Sequence, residues 1–174
     1  MSRRSDPTLG TSRAGGSPTN GPVAGRNPQS TARIAGHPIH PMLIPFPAAF
    51  LVATFACDLA YWATGSIGWV TASIWLLGTA LVMAALAAVA GLIDFFGDER
   101  IRALSDAWQH MIGNVVAVVL AAVNFYLRYA GGEAAVLPWG LILSFVVVGI
   151  LLFTGWKGWE MVYRHPVAVS DEPR

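Results

Sequence analysis

Charge is absent from three long stretches of the chain, and the breaks between them predict its elements. Leu59 to Ile93 runs 35 residues without a formal charge, Ala107 to Leu127 another 21, and Ala134 to Trp156 another 23. A helix crosses a bilayer with about 20 mostly apolar residues, so each stretch is long enough. The longest is interrupted by the turn-forming cluster Thr64-Gly65-Ser66-Ile67-Gly68. The apolar run from Leu43 to Cys57 continues past Asp58 into that stretch. The pattern therefore predicts four spans, about 44–64, 70–96, 109–129 and 138–163. A soluble core can hold one such segment, but hardly four in succession. The expected fold is all-α, an integral membrane four-helix bundle.

Composition agrees. The 174 residues are 55% hydrophobic and 12% charged, about half the charged fraction of an average soluble domain. A net charge of +1 is too balanced for a nucleic-acid footprint, so no nucleic-acid partner is expected. Cys57 is the single cysteine, which excludes an intrachain disulfide and any Cys-x-x-Cys site. Residues 1–33 are rich in Ser, Thr, Gly, Pro and Arg and bury too little to offset ordering, so they read as a disordered tail. The membrane domain is then 34–169, followed by a short polar tail, 170–174. Arg3-Arg4 has the look of a twin-arginine signal, but no apolar segment follows closely, and no cleavage is expected.

Basic residues set the expected orientation. Arg3, Arg4, Arg13, Arg26 and Arg33 precede span one, Arg100 and Arg102 lie between spans two and three, and Lys157, Arg164 and Arg174 close the chain. Only Arg128 lies on the other side. Both termini are therefore expected in the cytoplasm. Tyr61, Trp62, Trp69, Tyr126, Tyr129 and Trp139 mark one membrane boundary, and Trp108, Trp156, Trp159 and Tyr163 the other.

Threading four spans brings the polar residues together. His37 and His40 precede span one, Asp94 closes span two, His110 opens span three, and Glu160, Arg164 and His165 close span four. All four histidines thus fall at one membrane face, where polar groups are costly and face the bundle interior. Residues before proline avoid the helical region, so His37 and His40 are expected in an extended lead-in, on one side of a polyproline turn. Pro45 and Pro47 fit the first helical turn, which starts span one near Ile44. Small residues mark the expected helix contacts: Ala87 with Gly91 on span two, His110 with Gly113 and Ala117 on span three, and Gly155, Gly158 and His165 on span four.

The runs HPIHPMLIPFP, GLIDFF, HMIGN and GWKGWEMVYRHPVAV, in that order, resemble the bacterial membrane family labelled domain of unknown function 2231, over about residues 35–169. The matched residues are His37, Pro38, His40, Pro41, Asp94, His110, Asn114, Glu160, Arg164 and His165. The resemblance implies a four-helix protein of the bacterial plasma (inner) membrane and supplies no activity. This chain departs from it at Trp159, which replaces a glycine beside Glu160, and at Pro166.

Imidazoles at one membrane face suit two cofactors, haem b or a transition metal. For haem, His110 and His165 are the candidate ligands, with Arg164 at a propionate. For a metal, the candidates are His37 and His40, with Asp94 and Glu160 as carboxylate partners to the rings. No Cys-x-x-Cys-His is present, so covalent haem is excluded. Electron transfer would follow, with a redox or other membrane protein as partner and a homo-oligomer compatible with the pattern. The alternatives are a structural or assembly subunit whose polar cluster locks the helix ends, and transfer of protons or small solutes. Neither a phosphate-binding loop nor a hydrolase motif appears, so an enzyme is the less expected class. Asp58 and Arg128 lie at the opposite face and are expected to form a structural clamp.

Overall fold

The structure, a computed structural model, describes residues 27–169. It begins with a short hairpin in which β1 (Arg33–Ile34) pairs antiparallel with β2 (His37–Pro38). The helices follow in order: α1 (Ile39–Leu43), α2 (Pro45–Thr64), α3 (Ile67–Gly97), α4 (Glu99–Arg102), α5 (Ser105–Gly131) and α6 (Leu141–Tyr163). Local chemistry sets their ends. Pro45 occupies the first position of α2, where its missing N–H is not needed. Gly65 closes α2 in the left-handed conformation, φ 65°. The Asp98 carboxylate accepts the Arg100 amide and caps α4.

Three continuous helical segments are long and apolar enough to cross a membrane: Ile39–Thr64, Ile67–Gly97 and Ser105–Tyr163. The last has 59 residues, which as one straight rod would measure about 90 Å, three times a bilayer core. It is broken instead at Leu137 (φ −117°, ψ 134°), within the turns Gly132–Ala135 and Val136–Gly140, so α6 returns antiparallel to α5. The four long helices match the four expected spans in number and order.

α2 packs on α3 and α5 on α6, while α3–α5 and α6–α2 contacts close the ring. Leu51, Leu77, Ala80, Ala117, Ala121 and Val147, drawn from all four long helices, form the central core. Large apolar side chains such as Val82, Leu86, Phe145 and Leu152 point outward. That is the distribution of a protein whose solvent is lipid.

Two expectations are corrected here. Composition assigns residues 27–33 to a disordered tail, but Ser30 and Ala32 are buried. Asp94 Oδ1 holds them, accepting from the Ser30 hydroxyl (2.9 Å) and from the Thr31 and Ala32 amides (2.7 Å each). Residues 1–26 and 170–174, including Arg3, Arg4 and the C-terminal tail, lie outside the described residues. His40 is also not extended: it lies in α1, where its carbonyl accepts the Ile44 amide at 3.1 Å. The bias against a helical residue before proline is offset by a ring contact described below.

Candidate functional site

Polar side chains collect at both ends of the bundle. At the end formed by the α2 C-terminus and the α5 C-terminus, Arg128 meets Asp58 in a two-pronged ion pair, Nη1 to Oδ1 at 2.7 Å and Nη2 to Oδ2 at 2.6 Å. Arg128 also donates to Ser73 Oγ (2.6 Å), Asn124 Oδ1 (2.9 Å) and Ser144 Oγ (3.2 Å). The Ser144 hydroxyl donates to Asp58 Oδ2 at 2.7 Å. Both charged side chains are fully enclosed by protein, at 1% and 0% exposure. The expected clamp is present, and its hydrogen-bonding capacity is used internally.

At the opposite end, His40 of α1 and His110 of α5 lie edge to face, ring centroids 6.2 Å apart and planes at 87°. His40 Nδ1 lies 2.7 Å from the Ala87 carbonyl oxygen of α3, and His110 Nδ1 lies 2.8 Å from the Thr154 carbonyl oxygen of α6. A carbonyl can only accept, so each Nδ1 carries a proton. In the neutral ring the lone pair then belongs to Nε2. Neither Nε2 has a hydrogen-bond partner among the described residues. The Thr154 hydroxyl donates to Asn114 Oδ1 (3.2 Å), and Asn114 Nδ2 donates to the His110 carbonyl (2.8 Å), tying the α6 residue that holds the ring back to α5.

The other expected site residues are engaged elsewhere. The Asp94 carboxylate is taken up by the 30–32 segment. Glu160 is buried between Lys157 Nζ (2.7 Å) and Arg164 (3.1 Å). Neither carboxylate orients an imidazole; backbone carbonyls do so instead. His165 does not share a face with Gly158, because α6 ends at Tyr163. It sits in the following turn with Nε2 3.3 Å from Asp106. His37 is exposed in β2, apart from the ring pair. Trp159 does not crowd Glu160: it is 52% exposed and stacks between Trp156 and Tyr163. Lys157 Nζ also reaches Asp106 at 3.1 Å. Asp106, Lys157, Glu160, Arg164 and His165 thus form a mutually paired lock between the start of α5 and the end of α6.

The pairing of His40 with His110 is the feature that sequence reasoning missed. Grouping Ala87 with Gly91 on one stripe was the available signal, since that stripe is where the His40 ring rests. Among the described residues, no group of three or more His, Cys, Asp or Glu is placed to hold a metal ion. A closed three- or four-ligand protein site of the kind zinc takes is therefore not built here.

Long apolar helices, a core of small and aliphatic residues, and charged side chains confined to the two ends define a multi-pass membrane protein. The family model described as "Predicted membrane protein (DUF2231)" matches residues 36–171, and the chain belongs to that family. No curated protein matches the chain. No solved structure matches it.

Proposed function

We propose that this protein is a haem b carrier of the bacterial plasma membrane, with His40 and His110 as the two axial ligands and one-electron transfer as its activity. The observation that carries the reading is the adjacent ring pair, with both Nδ1 atoms committed to backbone carbonyls. Fixing one ring nitrogen on a carbonyl is how proteins orient a ligating imidazole and select its tautomer. Haem needs only two protein ligands because the macrocycle supplies the other four, which suits a site with two imidazoles and no third donor. Filling both axial positions leaves none for oxygen or substrate, which favours electron transfer over oxygen chemistry. Arg164, whose side chain is 66% exposed at the same end, is the candidate for a propionate.

Orientation belongs to the same proposal. Among the described residues Arg33, Arg100, Arg102, Lys157 and Arg164 lie on the histidine side and Arg128 on the other, which by the positive-inside rule supports a cytoplasmic location for the histidine end. A redox protein on that side is the partner. The structural reading applies to Asp106, Lys157, Glu160 and His165, whose ion pairs join the start of α5 to the end of α6, with Arg164 shared between the two readings.

The test is an absorption spectrum and elemental analysis of protein expressed with ample haem and metals and purified without chelators. A Soret band with sharp reduced α and β bands is the expected result. Near-stoichiometric copper without a Soret band would replace haem by a two-coordinate metal at the same rings. A colourless, metal-free protein would overturn the proposal.

A further inference from the structure

The two histidines occupy matching places in a repeat that runs through the whole bundle. His110 stands 70 residues after His40, and Arg128 stands 70 residues after Asp58. The same offset carries the buried positions of α2 onto those of α5: Pro47 onto Ala117, Leu51 onto Ala121, Thr54 onto Asn124. Between α3 and α6 the offset is 67 residues and carries Ser73 onto Gly140, Leu77 onto Ser144 and Ala80 onto Val147, again buried onto buried. Side-chain identity has diverged along the repeat, so that an aspartate corresponds to an arginine and a leucine to a serine. Burial is kept through the middle of the helices and lost toward their ends, where Cys57 falls on the exposed Leu127 and Phe95 on the exposed Val162.

Any two helices with one buried stripe can be aligned by burial, so that match alone decides little. The chemistry in the same register decides more. His40 rests on the Ala87 carbonyl and beside Gly91, and His110 rests on the Thr154 carbonyl and beside Gly158. The 67-residue offset that aligns the buried faces also carries Ala87 onto Thr154 and Gly91 onto Gly158. In each half, the glycine stands four residues after the carbonyl that holds the ring. In an α-helix that carbonyl already accepts the amide of the fourth residue on, and its second lone pair takes the imidazole. A Cβ on the fourth residue crowds the ring, severely at Gly91 and mildly at Gly158. A Cβ on Gly91 would fall 2.7 Å from His40 Cε1 and 2.8 Å from Nδ1, and one on Gly158 would fall 3.2 Å from the same two atoms of His110. Gly149 and Gly155, on the same helix as Gly158, face open space.

Packing order agrees with a two-fold axis along the bundle: α2–α3 and α5–α6 are the hairpins, and α3–α5 and α6–α2 are the two seams between them. Membrane folds built from parallel repeats about an axis along the bilayer normal are well established. We infer that the membrane domain is one helix hairpin duplicated and fused, with His40 and His110 as equivalent groups across the pseudo-two-fold axis. Gly91 and Gly158 are then positioning residues, each setting the tautomer and placement of one ring. This goes beyond the cofactor reading and stands without it, because it concerns only how the rings are seated.

The test uses the full chain, labelled with ¹⁵N-histidine, in detergent micelles without added cofactor. Side-chain nitrogen shifts should show both rings as the Nδ1–H tautomer. Gly91→Ala should move the His40 signals toward Nε2–H and leave those of His110, and Gly158→Ala should do the converse to a smaller extent, since its contact is looser. Gly149→Ala should leave both. In thermal unfolding, Gly91→Ala should lower Tm in the natural chain, lower it much less when His40→Ala has removed the ring, and lower it fully in a His110→Ala background. Should Gly91→Ala fail to fold, Gly158→Ala with His110→Ala carries the same cycle. Glycine variants that change neither ring, that change both alike, or whose effect on Tm ignores their own histidine would overturn the inference. A colourless protein with both seats intact would count against the haem proposal alone.

Discussion

At one end of the bundle Asp58, Arg128, Asn124, Ser73 and Ser144 exchange hydrogen bonds among themselves in a fully buried cluster. At the other end His40 and His110 each bind a helix carbonyl through Nδ1 and keep Nε2 unpaired among the described residues. Both arrangements place polar groups where an apolar surrounding makes them costly, yet they differ in what they leave over. A closed cluster has no capacity for an outside group and serves to fix four helices. A pair of oriented rings with free lone pairs can accept a ligand without first breaking anything. Polarity inside a membrane protein therefore marks a candidate site only when its hydrogen-bonding inventory is incomplete.

The largest effect is expected at the closed end. Asp58→Ala leaves the Arg128 guanidinium enclosed and uncompensated, a change that costs about 3–5 kcal/mol, and should lower the unfolding temperature in detergent steeply. Glu133→Gln offers the comparison, since Glu133 is exposed and accepts only from Tyr61 at 2.6 Å. Its effect on the unfolding temperature should be small. Equal melting of the two variants would remove the distinction between clamp and surface. The next effect is expected at Asp94. Asp94→Ala strips the Ser30 hydroxyl and the Thr31 and Ala32 amides of their shared acceptor, at about 1–3 kcal/mol for groups left unsatisfied. Limited proteolysis should then cut within 27–33 well before the helices; unchanged protection would mean that other contacts hold the segment.

A smaller effect separates the loop beside the site from the site itself. Hydrogen bonding to Arg100 is the main reason the Asp98 carboxyl titrates below its ordinary value of 3.8. Folded pKa is thus depressed relative to unfolded. The contribution is complete above about pH 5 and is lost only as pH falls through the lowered value. Hydrogen exchange of the α4 amides should be flat from pH 7 to 5, after correction for intrinsic rates, and should rise below pH 4. Loosening between pH 7 and 6 would point to a histidine instead.

Much of the architecture was legible in the chain. Charge-free stretches gave the four long helices, and Pro45 and Gly65 set both ends of α2. The Asp58–Arg128 pair was legible too, because a lone basic residue opposite a lone acidic one at the same depth has few other solutions. The docking of 27–33 was not, since it depends on one carboxylate of α3 rather than on the segment's own composition. Convergence of the histidines at one end followed from threading, but their pairing did not. Sequence spacing along α6 put His165 on the Gly158 face, whereas the helix stops at Tyr163 and the ring turns to Asp106. Nor could spacing show that backbone carbonyls, which every residue carries, orient the rings in place of Asp94 and Glu160.

The most direct measurement is a single-histidine series read by reduced-minus-oxidised absorption on full-length protein purified from haem-replete cells. His40→Ala and His110→Ala should each remove the low-spin α band while leaving membrane insertion intact. His37→Ala and His165→Ala should retain it, because those rings lie apart from the pair. Loss of the band in His165→Ala with retention in His40→Ala, or a natural chain that stays colourless, would contradict the account.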